Sequence, residues 1–178
     1  MNTMTNALTQ TQTDTLTDTL TSTFDPKQLR QAYSRLAAGT SVITMVDHHQ
    51  VRMGFTATAV TCVSVEPPLV LVCVNNASRT IPVFQSGATF VINLLTSEQE
   101  WIGMQFASRA EDKFENVNWS ISSTGGLHLH NTLAAMECIP HEIYPAGDHH
   151  IVIGRVRDIR MGSDDVKPLV FFRSHFMA

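Results

Sequence analysis

Apolar residues at Leu29, Ala32, Tyr33 and Leu36 fall at i, i+3, i+4 and i+7, one stripe of an amphipathic helix. Asp25-Pro26 supplies a capping side chain and a proline for its first turn, and Gly39 stands where a left-handed C-terminal cap belongs. The pattern predicts a helix over 26–38. From Thr40 the texture changes to short apolar runs punctuated by turn residues. These predict a strand over 41–46, a turn at His48-His49-Gln50, one or two strands over 51–64, and a buried strand over 69–74 after Pro67-Pro68.

A short helix over 81–86 ending at Gly87 and a strand over 90–95 come next. Ser97 and Glu100 have the spacing of a capping box opening a helix to about residue 108. A charged irregular loop fills 109–118, and strands are expected over 134–144, 151–161 and 169–173. Roughly seven strands with links too short for parallel crossovers predict a mainly β, antiparallel barrel with short helices at its ends. Strands 69–74 and 90–95 are apolar on both faces, more than three short helices can cover, which predicts a homodimer. Residues 1–24 read differently: ten of the 24 are threonine, with little apolar surface to bury. The expected organisation is a disordered arm over 1–24 and one domain over 25–178.

Composition excludes several classes. A chain of 178 residues, 43% hydrophobic and 16% charged, is one core-forming domain's worth. A net charge of −4 provides no basic face to follow a phosphate backbone, so nucleic acid is not the expected partner. No apolar run is long enough to span a bilayer. Cys62, Cys73 and Cys138 show neither CxxC nor zinc spacing, and each lies in an apolar stretch, as buried small hydrophobes do. Their free state and the absence of a signal-peptide pattern predict a cytoplasmic protein.

The chain lacks GxGxxG, the phosphate loop, GxSxG and HExxH. The pairs His48-His49 and His149-His150 make poor metal clasps, because strand neighbours face opposite ways, so no metal is expected. His128 and His130, without an acidic neighbour, read as exposed loop residues. Two segments suggest a ligand. Gly54 to Thr61 combines small side chains with hydroxyls, letting a ligand approach the backbone. Asn75-Asn76-Ala77-Ser78-Arg79-Thr80 places hydroxyls, amides and an arginine before a helix, a composition suited to an anion.

Together these segments resemble the short-chain flavin reductases, a flavin reductase-like family with a split-barrel FMN-binding fold. Five blocks carry the likeness in order: 36–42, 54–61, 64–69, 75–78, and Gly147-Asp148-His149-His150 leading into 151–156. The resemblance implies an NAD(P)H:flavin oxidoreductase, a small homodimer supplying reduced FMN or FAD to a separate monooxygenase. It implies that Thr56, Ala57 and Thr58 face the isoalloxazine, and that Ser64, Asn75 and Ser78 reach the flavin's polar edge, ribityl chain or phosphate. Arg109 or Lys113 would neutralise phosphate. Gly147, Asp148 and His149 would form the nicotinamide site for NADH or NADPH, with His149 against the ring. No catalytic acid, base or nucleophile is obligatory, since hydride passes between two cofactors suited to it. Two other readings share the split barrel: a non-catalytic flavin- or haem-binding protein, and a pyridoxamine-phosphate oxidase, which calls for more basic residues than this chain has. The segment 147–150 separates the reductase from a mere binder.

Overall fold

A computed structural model describes residues 25–177, so the threonine-rich segment 1–24 lies outside the described residues. The chain divides into a short unit up to Arg35 and a larger one from Leu36. The first contains helix α1 (Pro26–Tyr33), with Asp25 accepting a hydrogen bond from the Lys27 amide at 2.9 Å. The helix stops five residues short of the expected end. Residues Ala38–Gly39 instead form β1, so Gly39 is a strand residue and not a helix cap.

Eleven further strands follow among the described residues, all paired antiparallel. The main sheet contains β2 (Ser41–Val46), β3 (Arg52–Ala57), β4 (Val60–Ser64) and β5 (Leu69–Asn75). It also contains β6 (Phe90–Leu94), β9 (Ala134–Ala146) and β10 (His149–Met161), in the order β3-β2-β6-β9-β10-β5-β4. Strands β7 (Trp119–Ile121) and β8 (Leu127–Leu129) form a separate hairpin. β1 joins β11 (Val170–Phe172) and β12 (His175–Met177) in a third sheet. Helix α2 (Ile81–Gln85) lies between β5 and β6. A 3-10 turn (Ser97–Gln99) leads into α3 (Glu100–Ala107). The capping box that opens it uses Thr96 and Gln99, one residue earlier than the sequence spacing predicts.

Period-two alternation divides the side chains of the sheet between two cores. Ile43, Met45, Phe90 and Ile92 point one way, into a cluster with Val70, Val72, Val74 and Val152 that Phe84 of α2 completes. Ala57 of β3 is in this cluster and Val60 of β4 packs against it, so both edge strands of the sheet wrap the same core. Val42 and Leu95 face the opposite way, toward Ile102 and Phe106 of α3 and Leu127 and Leu129 of β8. Strand β6 is therefore covered on both faces within one chain, contrary to the expectation that it needs a partner. Strand β5 is fully covered on one face only: Val70, Val72 and Val74 are buried while Leu69, Leu71 and Cys73 are only half-buried.

A polar belt ties the β7–β8 hairpin to the sheet. The Asn93 amide donates to Val42 O at 3.0 Å and Thr44 Oγ1 at 2.9 Å, and its Oδ1 accepts from the Leu129 amide at 2.9 Å. Thr44 Oγ1 donates to Leu127 O at 2.5 Å. Close by, Glu137 accepts from Ser122 Oγ at 2.7 Å and from Thr124 Oγ1, and pairs with His128 Nε2 at 2.9 Å. His128 is thus buried against a carboxylate nine residues on, not exposed in a loop; His130 is the exposed one. Burial works to raise the Glu137 carboxyl, but hydrogen bonds from Thr124, His128 and Ser122 outweigh it and hold its pKa below the ordinary 4.5. Of the cysteines, only Cys138 matches the buried expectation, its thiol pushed up to about 12 by burial and by Glu137. Cys62 is exposed because the outer part of β4 has no covering layer among the described residues.

Replacing Glu137 by alanine leaves the buried His128 Nε2 without its partner, whereas Ser122 and Thr124 can turn to solvent, and the expected loss of stability is about 1–3 kcal/mol in urea denaturation near neutral pH. Because the folded carboxyl titrates low, its contribution is present above pH 4.5 and is lost as the pH falls below that through the folded value. The wild-type and E137A midpoints should therefore converge in acid. A constant gap down to about pH 3 would contradict this.

Candidate functional site

The site is built on β3 because residue 54 is glycine. A Cβ there would stand 2.6 Å from the Phe106 ring and 2.9 Å from Ile43 O, so α3 lies flush on the strand only without one. Two polar contacts fix the docking. Thr56 Oγ1 donates to Gly103 O at 2.6 Å, and Lys113 Nζ donates to Phe106 O at 2.8 Å and Gly54 O at 3.4 Å. The loop bearing Lys113 is held from below by Gln105, whose Nε2 donates to the carbonyls of Lys113 and Glu115, each at 2.9 Å. Phe114 packs edge-on against Phe106 with ring centres 4.9 Å apart.

At the end of β3 the chain turns into β4, and the loop after β5 approaches from the side. The Asn75 side chain accepts from the Ala77 amide at 2.8 Å, while Ser78 Oγ shares a hydrogen bond with Thr80 Oγ1 at 2.8 Å. The Gly147-Asp148 turn between β9 and β10 joins this loop. Asn76 Nδ2 donates to Gly147 O at 3.1 Å, and the Asn76 amide donates to Asp148 O at 3.0 Å. Gly147 opens the two-residue hairpin at φ +63°, in the left-handed region where a side chain is strained. His149 Nδ1 donates to Asp148 Oδ1 at 2.7 Å, which leaves Nε2 as the ring's remaining polar atom.

These elements enclose two adjoining cavities. The first, about 290 Å³, is lined by Thr56, Ala57, Thr58, Asn75, Ser78 and His149 among others. The second, about 370 Å³, is lined by Arg52, Arg79, Asp112, Lys113 and Phe114 among others. Phe55 and Ser78 line both, so the two run together. One end therefore offers small side chains, hydroxyls and an imidazole, and the other brings Arg52, Arg79 and Lys113 together with the carboxylates of Glu111 and Asp112. Burial, assisted by the neighbouring Arg79 charge, lowers the pKa of Lys113 below the ordinary 10.5. Arg79 makes no hydrogen bond or ion pair with another described residue. Two cations converging without an acidic partner of their own form a site for an anion.

Most of the residues singled out in the sequence meet here, with corrections of detail. The Thr56 hydroxyl proton is engaged by α3, and Ala57 turns its methyl into the core, so these positions present backbone and oxygen lone pairs. Lys113 lines the cationic end, whereas Arg109 is exposed and lines none of the cavities described. Ser64 pairs with Leu69 at the far end of β4 and lies outside both cavities. Gly147 and Asp148 support His149 without lining either. His150 pairs with Val74 on the opposite face from His149, as the strand period requires.

Arg52 is not legible in the sequence. Its guanidinium sits 4.9 Å from the Trp119 ring centre and 5.3 Å from that of Phe114, contacts set by tertiary packing. A larger cavity of about 590 Å³, lined by Thr96, His128, His130, Thr132 and Arg160 among others, lies elsewhere. It brings together none of the residues of the 54–61, 75–80 and 147–150 segments. Among the described residues no three His, Cys, Asp or Glu side chains gather as a metal site.

Residues 33–178 match the model of the flavin reductase like domain family. The chain is 36% identical over 154 residues to the actinorhodin polyketide dimerase of Streptomyces coelicolor, covering 86% of each. It is 31% identical over 153 residues to HsaB of Mycobacterium tuberculosis, the reductase subunit of a flavin-dependent monooxygenase, covering 85% of this chain and 81% of that one. Its fold superimposes with a TM-score of 0.80 and 30% identity on the NADH:FAD oxidoreductase SgcE6 of Streptomyces globisporus C-1027, a structure in complex with NAD and FAD fragments. That match covers 86% of this chain and 94% of that one. The match over residues 33–178, most of the chain, places this protein in the flavin reductase like domain family.

Proposed function

We propose that this protein is an NAD(P)H-dependent flavin reductase that delivers reduced FMN or FAD to a separate monooxygenase. The observation that carries the reading is the polarity of the joined cavities. A flavin nucleotide is a flat ring linked by a polyol chain to phosphate, and the groove runs from Thr56, Thr58 and His149 to Arg79 and Lys113. The backbone of 56–58 would receive the ring edge, Asn75 and Ser78 the polyol, and Lys113 with Arg79 the phosphate. The two carbonyls that accept from Lys113 Nζ hold it in place before any ligand arrives, so little ordering entropy is spent on binding.

His149 would rest against the nicotinamide, and Asp148 fixes its ring through Nδ1. Bound flavin and dihydronicotinamide supply the hydride chemistry themselves. What the chain contributes is alignment and exclusion of water: a shallow wall at 56–58, an imidazole above it, and an anion clamp beyond. The family's split barrel fits a sheet whose two edges, β3 and β4, wrap one core without pairing with each other. A homodimer is favoured by the half-exposed Val63, the exposed Val65 beside it, and the half-covered face of β5. No helix of the described residues is long and apolar enough to cross a membrane, and a cytoplasmic location is part of the same reading.

Steady-state oxidation of NADH and NADPH with each flavin tests the function, and binding of flavin without any oxidation would point to the non-catalytic binder instead. His149→Ala should raise the KM for NADH or slow hydride transfer by roughly tenfold while flavin affinity changes little. His150→Ala should be milder, and equal effects of the two would sink the assignment. Lys113→Met should weaken FMN binding by roughly ten- to a hundredfold, and riboflavin, which lacks phosphate, by much less, through the loosened docking of α3 alone. The sign of the pH effect comes from the lowered pKa of Lys113. As pH rises through that value the free protein loses the charge the phosphate needs, so FMN affinity falls before pH 10.5 is reached. Riboflavin affinity should show no such fall, and Lys113→Arg should flatten the FMN profile.

A further inference from the structure

The cationic cavity is larger than a phosphate group requires. It exceeds the ring-end cavity in volume, about 370 against 290 Å³, and is lined by Arg52 at the start of β3 as well as by Arg79 and Lys113. Arg52 is held in an unusual way for a surface arginine. Its guanidinium lies over both Trp119 and Phe114, and its NH2 group stands 3.8 Å from Asp112 Oδ2. Asp112 is itself anchored, since its Oδ1 accepts from the Phe114 amide at 2.8 Å. The side chain of Arg52 nevertheless remains 37% exposed. A planar cation packed against two aromatic rings, with part of its surface still open, can serve as a stacking platform for another flat π system.

We infer that the cavity beyond Ser78 receives the adenylate half of FAD, with the adenine stacked on the Arg52 guanidinium, and that this chain selects FAD over FMN. The inference rests on the flavin reductase reading and adds to it the choice of flavin. Charge alone would not discriminate, because both flavins present phosphate to Arg79 and Lys113. The difference lies beyond the phosphate. FMN leaves the Arg52 end of the cavity to water, whereas FAD fills it and gains a stacking contact that needs no rearrangement of the already pinned arginine. Asp112 contributes by holding that arginine in place, and it is a positioning residue.

Isothermal titration of the full chain with oxidised FAD, FMN and riboflavin tests this, using wild type, Arg52→Ala and Arg52→Lys. Wild type should bind FAD at least about fivefold more tightly than FMN, and both substitutions should weaken FAD by roughly tenfold while FMN stays within about twofold. Arg52→Lys keeps a cation beside Asp112 but removes the planar face, so it separates stacking from support of the loop. Equal affinity of wild type for the two flavins would overturn the inference. So would FMN and FAD weakening together in the variants, or Arg52→Lys retaining full selectivity. NADH oxidation measured alongside keeps the two levels apart: selective FAD binding without oxidation would contradict the reductase reading and uphold the selectivity.

Discussion

The site depends on how closely α3 can lie on β3. With no side chain at Gly54, the Phe106 ring occupies the space where a Cβ would be, and the carbonyls of residues 54 and 106 come together around Lys113 Nζ. Thr56 fastens the next turn of the helix through Gly103 O. One missing methyl group therefore decides where the helix sits, where the cation stands, and how wide the groove over 56–58 opens. Close packing makes such a position unforgiving: a side chain at residue 54 must move an aromatic ring or the strand itself.

The remainder of the sheet serves this contact from both sides. The core that includes Ile43, Phe90 and Val152 keeps β3 to β4 wrapped round one interior, and brings the ends of β3, β5 and β10 to a common rim. There the 75–80 loop and the 147–148 turn hydrogen-bond to each other, so the imidazole of His149 is carried by two elements far apart in sequence. On the outer face, Asn93, Thr44 and the Glu137 cluster hold the β7–β8 hairpin, which supplies Trp119 beneath Arg52. Apart from His128 Nδ1, the buried polar atoms of this belt find partners, which gives the hairpin one position on the sheet.

Much of this is legible in the amino-acid sequence. Period-two runs locate β2, β5, β6, β9 and β10 because those strands are long and alternate or are wholly apolar. The short elements β1, β7, β8 and β12 escape such a reading, since two or three residues carry no periodicity, and β8 hides a buried His128 between two leucines. His128 cannot be paired with Glu137 from sequence, because the link between them depends on two different sheets meeting. The segments 54–58 and 75–78 are recognisable from their residue types and 147–149 from the family resemblance, and the three converge. Ser64 and Arg109 belong to the family's pattern yet fall outside the cavities, while Arg79 is visible only as part of an anion-suited turn. Arg52 leaves no local trace, as its aromatic partners lie more than sixty residues along the chain.

The central claim is that the two joined cavities hold one flavin nucleotide, ring toward His149 and phosphate toward Lys113. A crystal structure of the protein with FMN bound measures this directly. The account predicts electron density for the phosphate within hydrogen-bonding distance of Lys113 Nζ and the Arg79 guanidinium, with the isoalloxazine along the backbone of 56–58. FMN in the reverse orientation, or seated in the larger cavity beside His128 and Arg160, would contradict it.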